Sequence, residues 1–295
     1  MRIRPENRLS GKLSVRPAAV SYSQSTGHKV NLLYHLIKKK REMKKETLLV
    51  AFSTQKGGAG KTTLTVLMAS YLYYVKGMDV AVIDCDYPQY SIKDMRERDM
   101  RNIERNAHLR KTAFEQFARL KKKMYPIVES RPEKAVEKAK DFLAMETPPD
   151  IIFFDLPGTV NNSDVINTVA TMDYVFCPIM ADRVVAESSL NFATVVNDTL
   201  LSTGRSNIKG LYLLWNMVDG REKTDLYDRY EKVAGELGLN VMKTFLPDSK
   251  RFRRESAEDG ERSVFRSTVM PPDRSLIRGS NIERLANEML ELINA

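Results

Sequence analysis

Gln55-Lys56-Gly57-Gly58-Ala59-Gly60-Lys61-Thr62-Thr63 is the stretch that decides how this chain is read. Gly57, Gly58 and Gly60 let successive backbone N–H groups converge on one point, as a phosphate group requires. A β-rich run, Leu48–Ser53, precedes the stretch. Apolar residues at helical spacing follow it: Leu64, Leu67, Met68, Tyr71, Leu72 and Val75, ending at Gly77. A glycine loop between strand and helix presents an anion to free N–H groups and to the positive end of the helix dipole. The spacing fits G-x-x-x-x-G-K-[ST], with Gln55 standing where the first glycine of that pattern would be. On that pattern the backbone of Gly57, Gly58, Ala59, Gly60, Lys61, Thr62 and Thr63 wraps the phosphates of a nucleotide. Lys61 reaches the β- and γ-phosphates, and the Thr62 hydroxyl ligates Mg²⁺.

Working outward, further buried strands are expected at Asp79–Cys85, Ile151–Asp155, Tyr174–Ile179, Ile208–Asn216 and Val241–Leu246. Helical stretches at 184–202, 222–237 and 279–294 separate or follow them. Apolar strands alternating with helices predict an α/β fold, a mostly parallel twisted sheet flanked by helices on both faces. Residues 92–146 interrupt the rhythm and read as a helical basic insertion, with breaks at Tyr125-Pro126 and Arg131-Pro132.

Two more strand ends carry carboxylates. Ile83-Asp84-Cys85-Asp86 ends the second strand, and Ile151-Ile152-Phe153-Phe154-Asp155 is an apolar run closed by Asp155. Carboxylates at C-terminal strand ends beside a glycine loop suit a Mg²⁺-dependent phosphate site, because open α/β sheets bind ligands along that edge.

Composition narrows the classes. No apolar run approaches the ~20 residues of a transmembrane helix, and the N-terminus carries no apolar signal core. Cys85 and Cys177 fall on separate expected strands and read as core residues in a reducing cytoplasm. The formal net charge is +9. Residues 1–42 hold ten Lys/Arg against Glu6 and Glu42, so the remainder of the chain is nearly neutral. Residues 1–45 are accordingly read as a basic extension, either disordered or not translated, with Met43 as a second possible start. The ATPase domain is expected over 46–295.

Lys56, five residues before Lys61 and inside the loop, makes the form K-G-G-x-G-K-T-T. It resembles the deviant Walker A motif of the ParA/MinD family, and the resemblance spans about residues 46–295. It implies an ATPase that sandwiches two ATP molecules in a homodimer, with Lys56 and Lys61 catalytic and ATP and Mg²⁺ bound. The early lysine then reaches the partner's phosphates, much as an arginine finger does. Asp84-Cys85-Asp86-Tyr87-Pro88-Gln89 is similar to the family's D-x-D-P-Q, with Tyr87 inserted. By that match Asp86 orients the attacking water, while Asp84, with Thr62 and Asp155, supports the metal. Asn216, Pro247 and Asp248 match the family's adenine pocket.

Within the family, an iron-protein reading lacks cluster cysteines at a dimer axis, and an arsenite-pump reading lacks a duplicated half. A MinD-like positioning ATPase is the alternative, but the end of the chain, Asn281–Ala295, is amphipathic and acidic rather than basic. The ParA-like reading implies a nucleoid-associated cytoplasmic protein that binds non-specific DNA, answers to a ParB-like activator and does not use a membrane. It would position plasmid, mobile-element or chromosomal DNA. The basic insertion also resembles ParA-like proteins of Bacteroidetes conjugative elements, of the TraA type. Two basic segments are candidate DNA surfaces: Lys121, Lys122 and Lys123, and Lys250, Arg251, Arg253 and Arg254. Tyr87 favours a further alternative, a nucleotide-gated scaffold or regulator of conjugative transfer with little turnover.

Overall fold

Strand β1 (Leu48–Phe52) is the middle one of five fully or largely apolar strands lying side by side, and everything else is placed by its neighbours. The computed structural model describes residues 46–158, 163–204, 206–221, 224–255 and 263–294. The basic extension over 1–45 lies outside them. The chain runs β1, α1 (Lys61–Tyr74), β2 (Val80–Asp84), α2 (Ser91–Arg105), α3 (Ala107–Leu120), β3 (Ile127–Glu129), α4 (Ala135–Leu143) and β4 (Ile151–Asp155). It continues through α5 (Ser163–Val169), β5 (Tyr174–Ile179), α6 (Arg183–Val196), β6 (Gly210–Trp215), α7 (Thr224–Glu236), β7 (Asn240–Val241), α8 (Arg274–Ile277) and α9 (Ile282–Asn294).

The seven strands form one sheet in the order β3-β2-β4-β1-β5-β6-β7, and every pairing is parallel. The strands β2, β4 and β5 are buried along their whole length, which is why they read as continuous apolar runs. Side chains alternate between two cores. Val50, Phe52, Val82 and Phe153 face α1 and α9 on one side. Ala51, Ile83, Phe154 and Val175 face α4, α5 and α6 on the other. Helix α9 buries its apolar face, Ile282, Leu285, Met289 and Ile293, in the first of these cores. No helix among the described residues is long and apolar enough to cross a membrane.

The insertion holds more than helices. Between its two breaks, Ile127–Glu129 pairs with β2 and becomes the edge strand of the sheet. Three partly exposed residues are too few for a periodic signal, so the strand follows from its place beside β2. Asn106 ends α2 and starts α3, its side-chain carbonyl oxygen accepting from the backbone N–H groups of His108 and Leu109. The expected strand Val241–Leu246 is mostly not strand: β7 keeps Asn240–Val241, and pairing resumes only as a bridge between Val218 and Pro247.

Candidate functional site

The register sets the site. Asp84, Asp155 and Phe52 lie in one row across β2, β4 and β1. The glycine loop leaves β1 just beyond that row. On the other side of β1, Trp215 pairs with Ile179, so Asn216 emerges at the same edge. The phosphate loop is therefore flanked by carboxylates on one side and an amide on the other.

Loop geometry depends on two glycines. Gly58 has φ +81° and Gly60 φ +92°, the left-handed region that side chains disfavour. A Cβ on Gly60 would also run into the Asn216 amide. That amide donates to the Ala59 carbonyl over 2.8 Å and so ties the two sides of the edge together.

Lys61 is buried, and its Nζ donates to the Lys56 carbonyl at 3.1 Å. Burial pulls its ammonium below the usual value, while Asp155 and Asp86 pull it back up. Lys56 itself is exposed. Gly158, just after β4, packs over the loop: a Cβ there would sit 3.0 Å from Lys61 Nζ and 3.2 Å from the Gln55 carbonyl.

The Thr62 hydroxyl donates to Asp155 Oδ2 at 2.8 Å. Asp155 is fully buried and its other oxygen has no hydrogen-bond partner among the described residues. Burial pushes its carboxyl up to about 8, against the Thr62 hydrogen bond. A hydroxyl beside an unsatisfied buried carboxylate is a hard-oxygen donor set, and a divalent cation would remove the penalty of burying that charge. The residues thus fit Mg²⁺. No group of three or more His, Cys, Asp or Glu side chains that could hold a metal occurs among the described residues. A Mg²⁺ here would depend on phosphate oxygens and water for the rest of its shell.

Asp84, expected to support the metal and its waters, also organises the backbone that follows it. Its Oδ2 accepts from the N–H groups of Ile92 at 2.9 Å and Lys93 at 3.0 Å, and its Oδ1 from that of Asp86 at 3.3 Å. It holds the first turn of α2. Burial raises its pKa and those three backbone bonds oppose the rise. Asp86 is half-buried and lines the cleft.

The cleft has a volume of about 370 Å³ and is lined by Gly57, Gly58, Gly60, Lys61, Thr62 and Thr63. Asn216, Pro247 and Asp248 line it too, so the structure brings the expected phosphate and base residues to one cavity. Parallel backbone bonds hold that far wall: Leu246 N–H to the Trp215 carbonyl at 2.9 Å and Asp248 N–H to the Val218 carbonyl at 2.8 Å.

Sequence reasoning missed Arg266, which lines the cleft and donates through Nη1 to Thr63 Oγ1 at 2.6 Å. The two residues are 203 positions apart, and no local pattern marks the arginine. Gly158 was not singled out either, although it lies three residues after the strand-end Asp155. Arg253, expected to face DNA, also lines this cleft.

The other basic residues divide. Arg251 turns inward: its Nη1 donates to the carbonyls of Leu276 at 2.8 Å and Arg278 at 2.7 Å. Lys122 donates to the Gly77 carbonyl and to Asp79 Oδ1, both at 2.7 Å. Lys121, Lys123, Lys250 and Arg254 are exposed. Cys85 and Cys177 are buried and unbridged, and burial pushes the Cys177 thiol up to about 12.

Comparison with known proteins bears on the fold and the family. No curated protein matches the chain. The fold is shared with solved structures of low sequence identity. MinD, the cell division ATPase of Pyrococcus furiosus, superposes with a TM-score of 0.52 at 17% identity, covering 84% of this chain and all of that one. An ATP complex of a Cyanothece McdA variant gives 0.54 at 14%, covering 84% and 96%. A structure of pNOB8 ParA gives 0.55 at 14%, covering 84% and 99%. The family model for the CobQ/CobB/MinD/ParA nucleotide binding domain matches residues 50–261, which contain the glycine loop, both aspartate strand ends and the Asn216 wall. The chain belongs to the CobQ/CobB/MinD/ParA nucleotide-binding family.

Proposed function

We propose that this protein is a ParA-like ATPase whose ATP-bound homodimer binds DNA without sequence preference and positions it. The observation that carries the reading is the pair of lysines in one loop: Lys61 is buried against the cleft while Lys56 is exposed on the same loop. An exposed cation at that place is available to a second copy.

In this reading the loop amides and Lys61 bind the β- and γ-phosphates, and Asn216, Pro247 and Asp248 hold the base. Thr62 and Asp155 would hold Mg²⁺, which when bound neutralises charge on the phosphate oxygens. Asp86, at the cleft wall, orients the water that attacks the γ-phosphate. Lys56 of the partner subunit completes charge stabilisation as negative charge builds on the terminal oxygens, so hydrolysis of ATP to ADP and phosphate waits for dimerisation. Turnover is weak alone and raised by a ParB-like activator.

Light scattering of Asp86→Ala with ATP and Mg²⁺ should show twice the monomer mass, and Lys56→Ala should remain monomeric while still binding ATP. A dimer that forms equally with and without nucleotide in both variants overturns the reading.

The DNA part draws support from a basic groove of about 740 Å³ next to the nucleotide cleft, lined by Arg98, Lys250, Arg253, Arg254 and Arg278. It shares Ser249 and Arg253 with the cleft. Two copies on one face of a dimer would meet about twice the phosphates, so affinity would follow nucleotide state. Filter binding should need ATP and weaken steeply with salt, and Lys250→Glu with Arg254→Glu should flatten that slope. Binding identical with ADP and ATP sinks this part.

A scaffold with little turnover takes its support from Tyr87. That ring is exposed, directly after Asp86, with the Arg131 guanidinium 4.3 Å from its centroid. Phosphate release below background, with DNA and partner present, would select it.

A further inference from the structure

The loop 263–270 reaches the nucleotide cleft from the far end of the chain and is rigidly held. Ser70 Oγ donates to the Ser267 carbonyl at 2.6 Å and the Tyr74 hydroxyl to the Thr268 carbonyl at 2.9 Å, both from α1. From α2, Asp99 Oδ2 accepts from Ser267 Oγ at 3.0 Å and from both the N–H and the hydroxyl of Thr268 at 2.8 Å. Arg96 Nε adds a bond to Thr268 Oγ1 at 3.0 Å. A backbone fixed this way fixes where the neighbouring Arg266 can reach.

Arg266 reaches the cleft wall. One amino group is on Thr63 Oγ1, and the other pairs with Glu255 Oε1. Its Nε is buried with no hydrogen-bond partner among the described residues. Glu255 is shared, since its second oxygen pairs with Arg98 of α2. Among the described residues one carboxylate therefore serves two guanidinium groups, which leaves that trio one positive charge in excess at the edge of the cleft.

Its place along the cleft says which ligand atom that charge would meet. Lys61 and Thr62 mark the end where the outer phosphates sit, and Asn216, Pro247 and Asp248 mark the base. Thr63 follows them on the first turn of α1, so Arg266 flanks the stretch between. The anionic group there is the innermost phosphate, the one common to nucleoside mono-, di- and triphosphates. Guanidinium groups pair strongly with phosphate oxygens.

Resting on the reading of the cleft as a nucleotide site, we propose that Arg266 binds the innermost phosphate of the nucleotide, and that Glu255 competes with that phosphate for the guanidinium. When a nucleotide enters, Arg266 shifts its charge from Glu255 to the phosphate, and Glu255 stays with Arg98.

The test uses the full chain and displacement of a fluorescent ADP analogue by ADP, AMP and adenosine. Arg266→Gln should weaken ADP and AMP by about 10- to 100-fold and leave adenosine unchanged. Arg266→Lys should recover part of the loss. Glu255→Gln should tighten ADP several-fold without moving adenosine. Melting of each variant without nucleotide separates folding from binding, and Glu255→Gln keeps the test decisive if Arg266→Gln does not fold. Equal weakening of all three ligands by Arg266→Gln, or unchanged ADP affinity in both Arg266→Gln and Glu255→Gln, overturns the proposal. If the wild type binds no ADP at all, the nucleotide reading itself fails, which is a different result.

Discussion

The glycine loop and the Lys250–Arg254 stretch both gather cations, yet the structure uses them differently. In the loop, the chain's own backbone aims every group: two glycines with positive φ turn the amides, Lys61 is buried behind them, and the Asn216 amide locks Ala59. In the basic stretch each residue finds its own use. Arg251 is taken up by the carbonyls of Leu276 and Arg278, Arg253 lines the nucleotide cleft, and Lys250 and Arg254 are exposed. The same holds at 121–123, where Lys122 is taken up by Gly77 and Asp79. Charge density along a sequence does not tell which cations face solvent, because each long side chain can turn towards a carbonyl as readily as towards a ligand.

The contrast can be broken at several points. The largest effect is expected at Lys61: Lys61→Ala should cut ADP affinity on the order of 100-fold by calorimetry, since a buried charge-assisted contact is lost. Lys250→Ala should leave it unchanged. Equal losses would mean that the cleft binds by bulk charge.

Gly60→Ala comes next. Left-handed strain and the collision with Asn216 should together lower stability by about 2 kcal/mol in urea denaturation. Gly77, with φ +76° but open space around its Cβ position, offers the control. Gly77→Ala should cost only about 1 kcal/mol, from backbone strain alone. A smaller cost at Gly60 than at Gly77 would show that Asn216 moves aside freely.

Within the basic stretch, Arg251→Ala should destabilise the fold by about 1–2 kcal/mol, because two carbonyls lose a charged donor. Lys250→Ala should stay within about 0.5 kcal/mol of wild type. If the order reverses, Arg251 is not holding the 276–278 turn. The smallest contrast separates Lys122→Ala, at about 1 kcal/mol, from Lys123→Ala, near zero, both by thermal melting. Equal values would place Lys122 with the solvated residues.

Much of the fold was readable before any coordinates. The buried strands β1, β2, β4, β5 and β6 carry unbroken apolar runs because helices cover both faces of the sheet. The runs report burial, and burial reports a parallel sheet. The edge strands were not readable in the same way: β3 is three partly exposed residues that leave no pattern, and β7 is two, sharing only Val241 with the strand expected over Val241–Leu246. Their existence follows from unpaired backbone on β2 and β6, which only the assembled sheet shows.

The candidate site divides along the same line. The phosphate loop, Thr62 and Asp155 follow from local grammar, a strand, a glycine turn and a helix start, whose chemistry is carried by neighbouring residues. Asp84 was assigned to the metal by its match to the family's second motif, and the structure adds that its carboxylate closes the first turn of α2. That outcome depends on where α2 begins relative to the strand end. Arg266 had no local signal at all, since its partner Thr63 lies 203 residues away. By itself the sequence determined the five central strands and the glycine loop with its two lysines, because backbone turns and burial patterns are properties of adjacent residues. Tertiary structure alone decided which charged side chains face the cleft, which face solvent and which close a helix or a turn, because each of those choices is made by whatever distant backbone packs within reach.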